Sequence, residues 1–415
     1  MPEAGERALL VGLALGQRQR ARAESSLEEL ALLARSAGAR VVGSLVQERA
    51  RRDPATLIGR GKVEEVKRLS DEVDAEALFF DEDLAPAQQR NIERAVDRKT
   101  LDRTQLILDI FARRARTREG RLQVELAQLD YLLPRLSGKG VLLSRLGGGI
   151  GTRGPGETKL ETDRRRIRQR IQKVRREIEH VRRERLTRRE ARGRRETPVV
   201  AMVGYTNAGK STLFNALTRG GAAVSDQLFV TLDPLVRRVR LGPGQDLLLV
   251  DTVGFIQKLP HSLVAAFRAT LEEVKEADLL LHVVDASSPG VEEREAAVEA
   301  VLGEIGARDR PHLLVLNKAD ATPPERREAL LARRPGAVAV SARTAEGLDR
   351  LLAAVAGHLD LVPRRVRLTF VAGDRRVSGV YASGRVLAHE LVNGRVVLDA
   401  EMPGRALERY REHIE

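Results

Sequence analysis

The chain has 415 residues, of which 42% are hydrophobic and 32% charged, and its formal net charge is +13. This length predicts two or three domains, and the apolar content excludes a wholly disordered chain. The absence of cysteine excludes disulfide bonds, thiolate zinc sites and cysteine nucleophiles. Only 3% of residues are aromatic, which argues against base stacking as the main means of binding single-stranded nucleic acid. No apolar run is long enough for a membrane span and there is no signal-peptide core, so a soluble cytoplasmic protein is expected, with room for a membrane-peripheral fraction.

Residues 1–100 predict a small N-terminal α/β domain with a largely parallel sheet, because short apolar runs alternate with helix-like stretches. The apolar runs are residues 8–13, 40–46 and 77–80, and the helix-like stretches are 26–34 and 62–73. The short run Gly59-Arg60-Gly61 favours a turn into the following helix over a nucleotide-binding fingerprint.

Residues 101–196 predict a long antiparallel helical hairpin, because apolar residues recur at steps of three and four. The first seam is Leu122, Leu126, Leu129, Leu133 and Leu136, and the second is Leu160, Ile167, Ile171, Val174, Ile178 and Val181. Pro134 predicts a kink or an early stop near the end of the first helix. Residues 196–198 are expected to close the second helix.

Two features of this hairpin suggest an interaction surface. From Arg164 to Arg195 there are about 16 basic and 4 acidic residues, so most of the net charge lies in one helix. Between the helices, residues 137–158 contain two glycine-rich runs. This segment is either a flexible linker or a functional loop. Basic side chains in and beside this loop favour the functional interpretation. The alternative for the helix is a solvated coiled coil with no nucleic-acid partner.

Residues 197–361 predict a mostly parallel α/β domain, and residues 362–415 predict a small α+β module. The apolar runs of the first are residues 199–203, 247–250, 279–284, 312–316 and 337–340. The second contains strand-like residues at 366–370 and 396–398, a hairpin signal at Asn393-Gly394 and a final helix near residues 405–413.

The sharpest motif is Gly204-Tyr205-Thr206-Asn207-Ala208-Gly209-Lys210-Ser211, which follows a predicted strand and opens a predicted helix. This is the context of the phosphate-binding loop, whose backbone N–H groups surround phosphate oxygens. Lys210 is expected to reach the β- and γ-phosphates, and the Ser211 hydroxyl to bind Mg²⁺.

Further motifs follow in chain order, each close to a strand end. Asp251-Thr252-Val253-Gly254 predicts a carboxylate in the outer shell of Mg²⁺ and a Gly254 N–H for the γ-phosphate. Within residues 226–234, Thr231 is a candidate to cap the γ-phosphate and to bind Mg²⁺. Asn317-Lys318-Ala319-Asp320 supplies a carboxylate that can accept two hydrogen bonds from guanine, and Ser341-Ala342-Arg343 a backbone N–H for guanine O6. Adenine cannot pair in this way, so the motifs predict a preference for GTP.

The motifs together predict a Mg²⁺-dependent GTPase with Lys210, Thr231 and Gly254 as the catalytic group. The predicted GTP contacts are Gly204, Tyr205, Thr206, Asn207, Ala208, Gly209, Lys210, Ser211, Thr212, Phe229, Val230, Thr231, Leu232, Asp233, Asp251, Thr252, Val253, Gly254, Asn317, Lys318, Ala319, Asp320, Ser341, Ala342 and Arg343.

Phe255 stands where many GTPases of this class carry the glutamine that orients the attacking water. A phenylalanine cannot do so, and slow hydrolysis by the isolated protein is therefore expected. Asn207 occupies a position at which an asparagine holds a stimulating K⁺ in several related GTPases. A purely structural role for Asn207 in the loop is the alternative.

The order of these motifs resembles the HflX family of translational GTPases along nearly the whole chain. The resemblance is carried by Leu57-Ile58-Gly59-Arg60-Gly61-Lys62, Gln128-Leu129-Asp130-Tyr131, the stretch 147–160, Phe229-Val230-Thr231-Leu232-Asp233 and the phenylalanine after Asp251-Thr252-Val253-Gly254. It implies a GTPase that binds the large ribosomal subunit, with the hairpin near the peptidyl-transferase centre. It also implies ribosome splitting or rescue under stress, with hydrolysis stimulated by the ribosome.

RNA phosphates would meet the basic residues of the hairpin, because arginine contacts to phosphate are independent of sequence. The predicted RNA-binding residues are Lys139, Arg145, Arg153, Lys159, Arg164, Arg165 and Arg168. A monomer is expected. The alternatives are an RNA-binding module in which the nucleotide is only regulatory, and an ATP-using RNA remodeller.

Overall fold

The computed structural model describes residues 5–136, 155–191, 197–218, 228–229, 231–242, 245–258 and 268–415. The side chains of residues 155–160, 185–191 and 268–270 are outside this description. The described residues form two compact units. The first comprises residues 5–191 with 228–233, 257–258 and 268–269, and the second comprises residues 197–218, 234–256 and 270–415, each without the gaps given above.

The first unit begins with a parallel four-stranded sheet flanked by helices, as the alternating pattern predicts. Its strands lie in the order β2-β1-β3-β4. The central strands are almost fully buried, as expected for a parallel sheet covered on both faces. The elements are β1 (Arg7–Leu15), α1 (Arg20–Ser36), β2 (Arg40–Arg49), α2 (Arg60–Glu72), β3 (Ala77–Phe80), α3 (Pro86–Val96), β4 (Lys99–Asp102) and α4 (Arg103–Arg114).

Gly59 immediately precedes α2, which confirms the predicted turn into a helix. Strand β4 and helix α4 lie across the predicted domain boundary at residue 100 and continue the α/β pattern beyond it. The predicted domain boundaries at residues 100, 196 and 361 remain a prediction.

The predicted pair of long helices is present as α5 (Arg118–Arg135) and α6 (Pro155–Ala191), which pack against each other. In α6 the predicted seam is correct where side chains are described: Ile171 and Val174 are buried, and Ile167, Ile178 and Val181 are half-buried. In α5 the seam is only partly correct. Leu122 is buried, but Leu126, Leu129, Leu133 and Leu136 are half-buried, because the helix also packs on α4 through other residues.

The boundaries of the hairpin differ from the prediction in two places. Helix α5 ends at Arg135, one residue after Pro134, in agreement with an early stop. Helix α6 begins at Pro155, so residues 155–158 are helical and do not belong to the predicted loop. Proline is well suited to the first helical position, because its missing N–H would have no partner there. Loop residues 137–154 lie outside the described residues.

The second unit is built on a six-stranded sheet in the order β10-β9-β8-β5-β7-β6. All its strand pairs are parallel except β6 with β7. The strands are β5 (Val199–Gly204), β6 (Leu235–Gly242), β7 (Gln245–Asp251), β8 (Leu279–Asp285), β9 (His312–Asn317) and β10 (Val338–Ala339). The helices are α7 (Lys210–Thr218), α8 (Arg268–Glu276), α9 (Val291–Glu304), α10 (Pro324–Ala332) and α11 (Leu348–His358). Five of the strands coincide with the predicted apolar runs, and β6 was not predicted.

The C-terminal residues form a three-stranded antiparallel sheet in the order β11-β13-β12. Its elements are β11 (Pro363–Val371), α12 (Arg376–Ser383), β12 (Arg385–Val392), β13 (Arg395–Pro403), α13 (Gly404–Leu407) and a 3-10 turn at Glu408–His413. Asn393 and Gly394 have φ angles of 51° and 75°, the left-handed conformations of a two-residue hairpin turn. The predicted hairpin is therefore correct, whereas β12 and α12 were not predicted.

Candidate nucleotide-binding site

The phosphate-loop motif lies between strand β5 and helix α7, in the predicted context. Gly204 is the last residue of β5 and Lys210 is the first residue of α7. Gly209 has a φ angle of 86°, and a methyl group at its Cα would collide with the amide nitrogen of Asn317. Glycine is therefore required here both by the backbone conformation and by the close approach of a neighbouring side chain.

Lys210 is held in an extended cradle of backbone carbonyls. Its side chain is buried, and its Nζ donates hydrogen bonds to Gly204 O at 3.0 Å and to Tyr205 O at 2.9 Å. Burial lowers the pKa of Lys210 to about 8, although the charge of Asp251 acts in the opposite direction. A buried ammonium whose two hydrogen-bond acceptors among the described residues are neutral carbonyls is suited to receive an anion such as a phosphate.

The carboxyl ends of β5 and β7 bring together two of the three predicted Mg²⁺ ligands, Ser211 and Asp251, whereas Thr231 belongs to the first unit. The Ser211 hydroxyl donates a hydrogen bond of 2.8 Å to Asp251 Oδ2, and Asp251 is fully buried. The buried Thr252 hydroxyl donates to Met202 O at 2.6 Å and fixes this end of β7 to β5. Gly254 lies against Lys210, since a Cβ at this position would be 3.0 Å from the Lys210 Nζ.

The two predicted base-recognition motifs are joined by hydrogen bonds. Ser341 Oγ donates to Asp320 Oδ1 at 2.7 Å, and the Arg343 guanidinium forms an ion pair of 2.6 Å with Asp320 Oδ2. The hydrogen bond from Ser341, followed by the charge of Arg343, lowers the pKa of Asp320. Asp320 is therefore held as a carboxylate, the form that accepts hydrogen bonds from guanine.

Asn317 connects the base-recognition motifs to the phosphate loop, a role that the sequence analysis missed. Its Nδ2 donates to Ala208 O at 2.9 Å, and its Oδ1 accepts from the Ala342 N–H at 3.0 Å. Lys318 was also not foreseen as an ion-pair partner, yet it pairs with Asp285 at 2.8 Å. The sequence signal for the Lys318 ion pair was the position of Asp285, which directly follows the apolar run 279–284.

Phe255 is buried and its backbone continues the pairing of the phosphate loop. Its N–H donates to Gly204 O at 3.1 Å, and its carbonyl accepts from the Thr206 N–H at 2.7 Å. Its ring is part of the core and carries no group that can orient water. Asn207 is exposed with a φ angle of 60°, a conformation that asparagine tolerates better than most residues.

The predicted GTP contacts at residues 229–233 belong to the first unit, whereas the other predicted contacts belong to the second. Phe229 and Leu232 are buried, Thr231 and Asp233 are half-buried, and Val230 lies outside the described residues. Within the first unit, Phe229 contacts α4 and Asp233 contacts the start of α5, as described below.

The predicted RNA-binding residues are only partly described. Lys139, Arg145 and Arg153 lie outside the described residues, and Lys159 belongs to α6 without a described side chain. Arg165 and Arg168 are exposed on α6, and Arg164 is half-buried there.

The chain is similar to several known protein families, curated relatives and solved structures. Three family models match in order: "GTP-binding GTPase N-terminal" over residues 24–112, "GTP-binding GTPase Middle Region" over 114–192, and "50S ribosome-binding GTPase" over 199–318. Among solved structures, a GTP-binding protein from the hyperthermophilic archaeon Sulfolobus solfataricus in complex with GDP is 26% identical. That match covers 85% of this chain and 98% of the other, with a TM-score of 0.45.

Several curated relatives match most of the chain, and each is named GTPase HflX. The protein from Caldanaerobacter subterraneus subsp. tengcongensis is 46% identical over 99% of this chain and 94% of its own. The Escherichia coli protein is 42% identical over 97% of this chain and 94% of its own. That from Alkalihalophilus pseudofirmus is 52% identical over 76% of this chain and 74% of its own. With these identities and coverages, the chain belongs to the HflX family and is a GTPase with a P-loop GTP-binding domain.

Proposed function

We propose that this GTPase binds the RNA of the large ribosomal subunit through helices α5 and α6, in a manner governed by GTP, and promotes ribosome splitting or rescue. It acts as a cytoplasmic monomer. The charge distribution of α6 is the observation that supports this proposal most directly. Peripheral membrane association stays a prediction for which the described residues offer no support; no described helix is long and apolar enough to cross a bilayer.

In the nucleotide site, Lys210 receives the β- and γ-phosphates and the Gly254 N–H contacts the γ-phosphate. Ser211 and Asp251 fit Mg²⁺, since a hydroxyl and a carboxylate are hard oxygen ligands and already meet at 2.8 Å. Thr231 is assigned to the same ion. When bound, Mg²⁺ supplies neutralisation of the phosphate charge. A K⁺ site at Asn207 stays a prediction.

Guanine selectivity is assigned to the ionised carboxylate of Asp320, supported by the short contacts of Ser341 and Arg343 described above. Most of the Arg343 side chain (79%) is exposed, so its release from Asp320 on guanine binding costs little free energy. An adenine base would leave the carboxylate without matching donors. This argues against the ATP-using remodeller.

Slow hydrolysis by the free protein is expected because Phe255 is fixed in the core by two backbone hydrogen bonds. A group from outside the described site must then position the attacking water, and a ribosomal partner is a natural source. Stimulation of GTP hydrolysis by the ribosome is therefore expected.

The basic residues of α6 include two sets that differ in their ion pairs. Arg170 and Arg175 form ion pairs with Glu125 at 2.5 Å and with Asp130 at 3.5 Å, so their charges are used within the hairpin. A second set contains four basic side chains of α6, and no acidic side chain in the described part of the chain lies within ion-pair distance of them. This set, here called the free basic stripe, consists of Arg165, Arg168, Lys173 and Arg176.

The free basic stripe lies on the face of α6 opposite the buried seam. At about 100° per residue, its members fall within roughly 140° of arc, centred almost opposite Ile171 and Val174. It extends along about 17 Å of helix. A solvated coiled coil would not need to leave one face without counter-charges, whereas a helix that binds RNA phosphates would. A match to a family described as "50S ribosome-binding GTPase" is consistent with this partner.

The test is binding of purified large ribosomal subunits to the full-length chain at several salt concentrations. The variant carries Arg165→Gln, Arg168→Gln and Arg176→Gln. The matched control carries Arg308→Gln, Arg310→Gln and Arg333→Gln, which remove the same charge from exposed positions of the second unit. We expect the first variant to bind more weakly and its salt slope to fall by about 0.7 to 0.9 for each lost phosphate contact.

Equal binding by the two variants would show that only net charge matters, and it would remove the stripe as the RNA contact. Absence of binding by the wild-type chain, with either GDP or a GTP analogue, would reject the ribosomal partner itself.

A further inference from the structure

The carboxylate of Asp233 is fixed at the start of helix α5. It accepts hydrogen bonds from the Arg116 N–H at 2.8 Å, the Thr117 N–H at 2.9 Å and the Thr117 hydroxyl at 2.5 Å. Three donors on one carboxylate make a strong, charge-assisted contact. Asp233 stands two residues after Thr231, the residue assigned to the γ-phosphate and Mg²⁺.

The start of α5 is shaped to receive this carboxylate. Thr117 caps the helix, since its Oγ1 also accepts a hydrogen bond of 3.0 Å from the Gly120 N–H. A methyl group on Gly120 would collide with Asp233 Oδ1. Glycine is unfavourable in a helix by about 1 kcal/mol relative to alanine, so its presence in the first turn is explained by the approach of Asp233.

The other side of Thr231 is also anchored in the first unit. Phe229 has a φ angle of 57°, and its ring packs edge-on against Phe111 of α4 with centroids 4.6 Å apart. The Leu228 N–H donates to Ser36 Oγ at 2.9 Å, at the end of α1. Thr231 therefore lies in a short segment that is attached on both sides to helices of the first unit.

We propose that Asp233 is a positioning residue that couples Thr231 to the hairpin. Any movement of Thr231 between the GDP and GTP states is transmitted to the start of α5, because only Leu232 separates Thr231 from Asp233, whose carboxylate makes the contact. Since α5 packs on α6, the nucleotide state reaches the free basic stripe by this route. The inference rests on the proposed role of Thr231 as the γ-phosphate contact.

The test is amide hydrogen exchange of residues 115–121 in the full-length chain, with GDP and with a non-hydrolysable GTP analogue. In the wild-type protein we expect the Arg116 and Thr117 amides to exchange at rates that differ between the two nucleotides by about tenfold or more. In Asp233→Asn and in Gly120→Ala we expect fast exchange with both nucleotides. The two variants disrupt the same contact from opposite sides.

Gly120→Ala separates coupling from simple stability. A merely structural role for the contact predicts faster exchange at the start of α5 in this variant, because the added methyl group displaces Asp233, but unchanged stimulation of hydrolysis by large ribosomal subunits. Coupling predicts instead that stimulation of hydrolysis by large ribosomal subunits is lost while the KM for GTP is retained. Gly303→Ala is the matched control, because a methyl group there meets no atom within 4 Å.

The outcomes distinguish this inference from the proposed function. If the wild-type protein is stimulated by ribosomal subunits but the exchange of residues 115–121 is the same with both nucleotides, the inference is overturned and the function stands. The inference is likewise overturned if Gly120→Ala behaves as the wild type. If the wild-type protein is not stimulated at all but shows the nucleotide-dependent exchange, the ribosomal function fails and the coupling stands.

Discussion

Lys210 is a buried charged residue of the nucleotide site whose pKa is lowered by burial. Its ammonium is buried beside two backbone carbonyls, and burial lowers its pKa to about 8 from an ordinary value near 10.5. The charged form is thus less favoured than that of an exposed lysine until an anion binds. A bound triphosphate stabilises the ammonium and raises the pKa again, so nucleotide binding and proton binding are linked.

This linkage predicts a pH dependence of GTP affinity. Below pH 8 the free protein already carries the proton, and affinity should be flat with respect to this group. Above pH 8 binding must take up a proton, so affinity should fall by up to about tenfold per pH unit. Calorimetry at pH 9 in two buffers of different ionisation enthalpy measures the proton uptake; an uptake of zero would contradict the assignment of Lys210 to the phosphates.

Asp320 gives a second prediction at the same scale. In Asp320→Asn the amide cannot accept both hydrogen bonds from guanine, and we expect GTP affinity to fall by about 100-fold. Xanthine has an oxygen in place of the guanine amino group, so the affinity for xanthosine triphosphate should rise. Calorimetric titration with both nucleotides checks this, and unaltered GTP affinity would exclude Asp320 from base recognition.

Among the elements, α6 depends on its buried seam for packing and on its outer face for charge. Val174 is fully buried, so Val174→Ala should lower the free energy of unfolding by about 1 to 3 kcal/mol. Gln172→Ala, on the exposed face, should change it by less than about 0.5 kcal/mol. Urea denaturation followed by circular dichroism measures both. Similar effects of the two substitutions would mean that the helix is not packed through this seam.

The end of strand β3 holds the segment that follows Phe255. The Lys258 ammonium pairs with Asp81 at 2.5 Å and with Glu82 at 2.6 Å, and the buried Asp81 also pairs with Arg103 at 2.7 Å. Both segments expected to respond to the nucleotide, residues 228–233 and 257–258, are therefore attached to the first unit.

Reversing the charge of Lys258 tests this attachment. Lys258→Glu adds a third carboxylate beside Glu82 and the buried Asp81, and we expect the free energy of unfolding of the first unit to fall by about 2 to 5 kcal/mol. Lys67→Glu, at an exposed position of α2, should cost less than about 1 kcal/mol. The urea midpoint reports both, and equal midpoints would show that Lys258 does not anchor its segment.

Elements with strong periodicity could be predicted from the sequence, and those with weak periodicity could not. The apolar runs identified β1, β3 and five strands of the second sheet, because buried parallel strands are nearly continuous in apolar residues. Strand β6 was missed because it is an edge strand in which Val239 is the only buried residue and three arginines interrupt the pattern. Strand β12 is similarly exposed along almost its whole length.

The nucleotide site likewise has parts that could be predicted from the sequence and parts that could not. Its contiguous motifs could be predicted because each is a local strand-to-turn sequence. The contact of Asn317 with Ala208 and that of Asp233 with Thr117 join residues more than 100 positions apart, and no local pattern encodes such pairings. Long-range contacts of this kind require the fold.

At the scale of the whole molecule, the chain passes repeatedly between its two units. The phosphate loop, Asp251 and the base-recognition motifs belong to the second unit, whereas residues 228–233 and 257–258 belong to the first. The segments proposed to sense the nucleotide thus belong to the unit that contains α5 and α6. This arrangement suits the proposed switch, in which GTP bound by the second unit would alter the proposed RNA-binding face of α6 in the first.

The most direct test of this coupling is co-sedimentation of the full-length chain with purified large ribosomal subunits, with GDP and with a non-hydrolysable GTP analogue, at two salt concentrations. We predict that more protein pellets with the GTP analogue than with GDP, and that both fractions fall at the higher salt concentration. Equal pelleting with the two nucleotides, or binding that is indifferent to salt, would contradict the account.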